Sequence, residues 1–155
     1  MDAGLITTQL AARPSARRRH ERLTGIVAAM ARQTVTASFE IIAWDERPAG
    51  VEGHGAAVVR RRFRGPLQAT SVAELLAVET AHGTSYVASE RVEGTLDGRS
   101  GSFVIQHGGI TGAGPGRTFG HVVPGSGTGD LEGLMGDAAF ARDDSGTRLT
   151  LSYKL

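Results

Sequence analysis

The sequence predicts an all-β fold: an eight-stranded antiparallel barrel behind a short N-terminal extension. Three observations predict it. Asp97-Gly98 stands between two runs of alternating apolar and polar residues, within Ser85 to Ile110. Both central residues of a type I′ turn need φ above zero, and this dipeptide tolerates that. Glycine is abundant, 22 of 155 residues, without a three-residue period and clustered between β-like runs, as in the turns of an all-β chain. The runs are joined by short connections, and closing such a meander removes its exposed edges.

The chain is long enough for one domain with a real core. Residues 1–30 read as a flexible or partly helical basic extension, and residues 31–155 as a single barrel domain. Residues 1–29 hold five of the 17 basic residues and two of the 16 acids, so 12 basic and 14 acidic residues remain beyond them.

The first strand, Thr34 to Trp44, places Val35, Ala37, Phe39 and Ile41 on one face and Thr36, Ser38 and Glu40 on the other, the pattern of a half-buried strand. Pro48 to Gly55 is a loop. The second strand, Ala57 to Arg64, alternates Val59, Arg61 and Phe63 with Arg60, Arg62 and Arg64; the latter set reads as a solvated face. Gly65-Pro66 turns the chain into a third strand, Leu67 to Glu79. Its Ala-Glu-Leu-Leu-Ala stretch has helical propensity, but its length and neighbours suit the meander. Ala81-His82-Gly83 is the next turn.

The fourth and fifth strands are the Asp97-Gly98 hairpin. A two-residue loop sets Leu96 opposite Arg99, Val92 opposite Phe103, Glu90 opposite Ile105 and Ala88 opposite His107. The more apolar face then carries Tyr86, Ala88, Glu90, Val92, Phe103, Ile105 and His107, and looks inward. Gly108 to Gly116 reads as a glycine-rich loop. The sixth strand, Arg117 to Val123, has Phe119, His121 and Val123 on one face. Pro124 to Gly129 forbids regular structure, and Asp130 to Leu134 forms a single helical turn. Leu134 to Arg142 and Thr147 to Leu155 are the last strands.

Composition excludes several classes. There is no cysteine, hence no disulfide, thiolate chemistry or cysteine-bound zinc. No run of about 18 apolar residues provides a membrane-spanning helix, and the N-terminus lacks the order of a signal peptide. A cytoplasmic location is expected, with no membrane partner. The formal charge of +1 argues against a nucleic-acid partner. The Gly125-Ser-Gly-Thr-Gly129 loop lacks the lysine and βαβ setting of a phosphate loop, so its glycines serve a tight connection.

The interior is the informative part. A two-residue Gly65-Pro66 loop pairs Phe63 with Gln68, Arg61 with Thr70 and Val59 with Val72, which puts Arg61 and Glu74 inside. A three-residue loop at Ala81-His82-Gly83 sets Glu74 opposite Glu90; a two-residue His82-Gly83 loop turns Glu74 outward. With both carboxylates inside, burial and like charge raise one pKa while Arg61 or His107 lowers the other. An acid beside an imidazole in a dry cavity suits enolisation, dehydration or cyclisation. The same residues equally form a buried ion cluster that holds register. His107 and His121 lack ligand spacing, so no metal is expected.

Three stretches carry a resemblance: Ser38-Phe39-Glu40 with Trp44-Asp45-Glu46 and Pro48; Glu90 to Val104 with Gln106-His107; and Val122 to Gly129 with Leu131, Gly133-Leu134 and Gly136. Together they resemble the bacterial domain-of-unknown-function family 3224, from about Gln33 to the C-terminus. That family is similar in fold to plant allene oxide cyclase and the dirigent proteins, whose barrels steer the cyclisation of a reactive intermediate; related bacterial barrels include polyketide cyclases. The resemblance implies an allene-oxide-cyclase-like barrel but assigns no reaction and no catalytic residue.

Two functions are therefore expected as alternatives. One is a cofactor-independent cyclase or isomerase acting on a small apolar, polyketide-like metabolite, with Glu90, His107 and Glu74 as catalytic residues. Trp44, Arg61, Tyr86, Phe103, Phe119 and Phe39 would then line the substrate. The other is a non-catalytic ligand-binding or structural barrel. Val87 and Val104, on the outer face of the central hairpin, suggest a homodimer or other homo-oligomer.

Overall fold

The computed structural model describes residues 31–155; the basic extension expected at 1–30 lies outside the described residues. Eight strands close an antiparallel barrel in chain order: β1 (Gln33–Arg47), β2 (Gly55–Arg64), β3 (Leu67–Thr80), β4 (Gly83–Leu96), β5 (Arg99–Gly112), β6 (Gly114–Val122), β7 (Met135–Asp143) and β8 (Gly146–Lys154). The β4–β5 register is the one the Asp97-Gly98 turn dictates, with Val92 opposite Phe103 and Ala88 opposite His107. Asp97 (φ 48°) and Gly98 (φ 80°) both take left-handed backbone.

Four expectations are corrected. Gly65-Pro66 is part of a longer turn, so Phe63 pairs with Ala69, Arg61 with Ser71 and Val59 with Ala73. That one-residue slip reverses the face of β3. Ala69, Ser71, Ala73 and Leu75 point inward and are buried, while Glu74 is exposed. The β3–β4 turn is a two-residue Ala81-His82 loop, with Thr80 opposite Gly83 and Glu74 opposite Ser89. Gly108 to Gly116 is not a loop: β5 runs to Gly112 and β6 starts at Gly114. Phe119 lies opposite Gly108, on the outer face, and is 53% exposed; Val122 is the buried neighbour. The helical turn is a 3-10 turn at Gly129–Leu131.

The two ends of the barrel differ. At one end Leu67, Leu96, Phe103, Ile105, Leu149, Leu151 and Tyr153 form the main core. The connection from β6 to β7 crosses this end and buries Leu131 and Leu134 in it. It is strapped to β5 by Thr128, whose Oγ1 accepts from Ser102 N (3.1 Å), and by Ser126, whose Oγ accepts from Val104 N (3.0 Å). A Cβ at Gly127 would stand 2.0 Å from the Leu131 carbonyl oxygen, so the strap closes only over glycine. The Tyr153 hydroxyl reaches Asp97 Oδ2 (2.5 Å) and Gln33 Oε1 (2.8 Å), which ties the β4–β5 turn to the last strand.

The other end is open on one side. β1 has 15 residues and β3, β4 and β5 have 14 each, and β6 stays paired with β5 to its open-end tip at Gly112 and Gly114, but β7 and β8 have nine residues each. β1 pairs with β8 only as far as Ser38 opposite Arg148, and β6 meets β7 through one register pair, His121 with Asp137. A tall wall of β1 to β6 therefore stands over a low one of β7 and β8, and the barrel opens as a scoop.

Candidate functional site

Between the closed core and the scoop lies one polar layer. Register alone brings it together: Arg61 pairs with Ser71 across β2–β3, and Glu90 and His107 face inward from β4 and β5. Glu90 is 0% exposed, His107 1%, Ser71 3% and Arg61 6%. A carboxylate there must be paired and hydrogen-bonded. Glu90 Oε2 accepts from Arg61 Nη1 at 2.7 Å and lies 2.8 Å from His107 Nε2. Its Oε1 accepts from the Ser71 hydroxyl. Burial alone pushes the Glu90 carboxyl up, but the His107 hydrogen bond, the Arg61 charge and the Ser71 hydroxyl together hold it below its ordinary value. Glu90 is thus an anion with its acceptor sites engaged, not the proton-bearing acid expected of a carboxylate pair.

The ionised Glu90 fixes the neighbouring ring. His107 Nε2 must carry hydrogen to donate to it, so the neutral ring leaves Nδ1 as an acceptor. Nδ1 faces the Tyr86 hydroxyl at 3.4 Å, a long contact. Tyr86 is half-buried, and burial, countered in part by the Arg61 charge, raises its pKa above the usual phenol value. It is therefore a protonated donor. Phe140 stacks on His107 with ring centres 4.2 Å apart, and the Arg61 guanidinium lies 5.6 Å from the Phe39 ring centre and 5.5 Å from that of Phe140. Arg61 Nε is buried without a hydrogen-bond partner among the described residues.

Above this layer, the inner face of the tall wall is lined with small residues. Ala57, Ala73 and Ala88 are buried with Val59 and Leu75, and Ala77 and Tyr86 pack on them half-buried. Gly109 lies opposite Tyr86, and a Cβ there would come within 3.0 Å of the Tyr86 ring. Ile41 and Trp44 share the inner face by register, opposite Arg61 and Val59, because an extra residue, Ile42, is inserted between Ile41 and Ala43. Both are about half exposed, Ile41 at 49% and Trp44 at 50%.

Of the expected site residues, Glu90, Arg61 and His107 meet in the polar layer, with Tyr86 and Phe39 beside it. Trp44 stands on the scoop wall. Phe103 is buried in the closed-end core, away from any opening. Phe119 and Glu74 are outside. Two contributors escaped the sequence: Ser71, through the one-residue slip in β3, and Phe140 as the ring stacked on His107. The signal for Ser71 was present, because Gln68, Thr70 and Glu74 make the alternative β3 face the more polar one. Among the described residues, no group of three or more His, Asp or Glu is placed to hold a metal, and His107 and His121 lie on opposite faces of the sheet.

A family model described as "Protein of unknown function (DUF3224)" matches residues 35–155. The chain is also similar to the crystal structure of a protein of unknown function from the DUF3224 family of Shewanella oneidensis MR-1. The two share 35% identity over 79% of this chain and 96% of that one, with a TM-score of 0.71. No curated protein matches the chain.

Proposed function

The chain belongs to the DUF3224 family, and from that premise we propose that it binds a small, largely apolar molecule in the scoop and acts on it as a cofactor-independent isomerase or cyclase. This is the chemistry of the allene-oxide-cyclase-like barrels, and polyketide-like ketones are the substrate class that fits it. One observation carries the reading. Both oxygens of Glu90 are engaged, by Arg61 and Ser71 from the closed side and by His107 Nε2, whereas His107 Nδ1 meets only the half-buried Tyr86 hydroxyl on the side of the opening.

The roles follow from the protonation states. Tyr86, held protonated, donates to the ligand oxygen where negative charge develops during enolisation. Once Tyr86 turns to the ligand, His107 Nδ1 is free to take the carbon-bound proton. The imidazolium that forms is oriented and stabilised by Glu90 through Nε2, the part a buried carboxylate plays beside a catalytic histidine. Arg61 and Ser71 position Glu90. Glu74, Phe119 and Phe103 take no part. The apolar walls, Ile41, Trp44 and Phe140, hold the ligand.

A second reading, a barrel without turnover, draws on the polar layer being complete without a ligand. The two are separated by incubating the protein with cyclic ketones in deuterated water and following loss of the α-proton signals by NMR. Exchange above the buffer rate, lost in Tyr86→Phe although the variant stays folded, supports the enzyme. No exchange with any ketone that binds supports the barrel without turnover.

A further inference from the structure

The polar layer holds one pair of donors that the proposed chemistry leaves idle. Arg61 is more than nine-tenths buried, and its Nη1 donates to Glu90. Nε–H and the nearer hydrogen of Nη2 form another edge of the planar group, a parallel pair that takes a carboxylate side-on. Nothing among the described residues accepts from that edge. Nε is fully buried without a partner, an uncommon and unfavourable state for a native donor. Nη2 also lacks a partner, but it is not fully covered. Leu131 and Leu134 seal the closed end of the barrel, so the exposure that Arg61 keeps is toward the opening. Its guanidinium reaches the low wall there, beside Phe39 and Phe140.

A second cation stands at the lip. Arg142 follows Phe140 on the inner-face register of β7, opposite Thr147. It is exposed and has no ion pair among the described residues. The inward acids are remote. Glu46, opposite Ala57, and Glu79, opposite Thr84, belong to the tip of the tall wall. At the usual rise per residue they lie about 13 Å and about 26 Å along the strands from Arg61 and its partner Ser71. We propose that the scoop ligand carries a carboxylate, which docks on the Nε–Nη2 edge of Arg61 with Arg142 as the second counter-charge. Two guanidinium groups then stand against two carboxylates, Glu90 and the ligand's, as a buried anion requires. Glu90 Oε2 bonds both Arg61 Nη1 and His107 Nε2, so the carboxylate site and the base are a few atoms apart. Phe140 lies against both. The substrate class narrows to a small apolar keto acid, its acid group a few bonds from the carbon that loses a proton. This rests on the scoop being the ligand site.

The test is isothermal titration calorimetry of the full chain at neutral pH with two probes of one shape, 1-naphthylacetate and its methyl ester. Wild type is expected to bind the acid at least about tenfold tighter than the ester. Arg61→Lys keeps a cation for Glu90 but has no second edge. It is expected to bring the acid down to the ester's affinity and to leave the ester unchanged. Arg142→Gln, at an exposed position, is expected to narrow the preference about threefold, and it carries the reading if circular dichroism shows Arg61→Lys unfolded. Equal binding of acid and ester by wild type overturns the carboxylate assignment and leaves the scoop site standing. An acid preference that every folded variant keeps does the same. Wild type that binds neither probe overturns the scoop reading and the assignment with it.

Discussion

At the residue scale the molecule turns on Glu90. Its carboxylate is buried and held by three donors, and its removal strands Arg61 rather than simply deleting a bond. Glu90→Gln keeps the shape but leaves a buried guanidinium without its anion, which costs about 3–5 kcal/mol by the usual measure of a broken buried pair. Urea unfolding at neutral pH checks this. The pH dependence has a definite sign. Because the folded-state pKa of Glu90 lies below its unfolded value, its stabilisation is present above the ordinary carboxylate range and is lost as the pH falls through the lowered value. Wild type should therefore carry an acid-side loss of stability that Glu90→Gln lacks. Tyr86→Phe removes only a 3.4 Å contact and should shift stability by less than about 1 kcal/mol, which makes it the cleaner probe of chemistry.

At the element scale, legibility tracked turn geometry. The β4–β5 register was readable because Asp97-Gly98 leaves one plausible loop length, and parity then assigns every side chain. The β2–β3 connection offers no such constraint. Gly65-Pro66 reads as a two-residue turn, yet the pairing of Phe63 with Ala69 needs one residue more. That single residue moved Glu74 out and brought Ser71 in. The run from Gly108 was misread for a different reason. Its glycines look like loop punctuation, whereas Gly108 and Gly109 are strand positions that seat the Phe119 and Tyr86 rings on opposite faces of the sheet. Contacts of this kind have no local signature. Glycine substitutions separate the two uses. Gly98→Ala meets no atom within 4 Å but keeps φ at 80°, so the expected cost is backbone strain of about 1 kcal/mol. Gly127→Ala would set its Cβ against the Leu131 carbonyl and should cost several times more, read from the two melting temperatures.

At the scale of the whole molecule, closed barrel and open scoop divide the work. The long connection between β6 and β7 plugs one end with Leu131 and Leu134, so no channel runs through the barrel. Short β7 and β8 leave the other end low on one side, and this exposes Ile41 and Trp44 although both face inward. The eight-strand class was legible from alternation and turns. The scoop was not, because it depends on where strands stop pairing, as at Ser38 with Arg148, rather than on what they contain.

Trp44 is the only tryptophan in the chain and stands on the scoop wall, so its emission tests ligand binding there directly. The measurement is a titration of the full chain with 1-anilinonaphthalene-8-sulfonate, following energy transfer from Trp44. It is run on wild type, on Ala77→Phe, which fills the inner face beside Tyr86, and on Val87→Glu, which alters only the exposed outer face of β4. A ligand site in the scoop gives saturable transfer with one probe per chain, abolished or weakened at least about tenfold by Ala77→Phe and retained by Val87→Glu. Absence of saturable transfer in wild type, or an affinity that Ala77→Phe leaves unchanged, would contradict it.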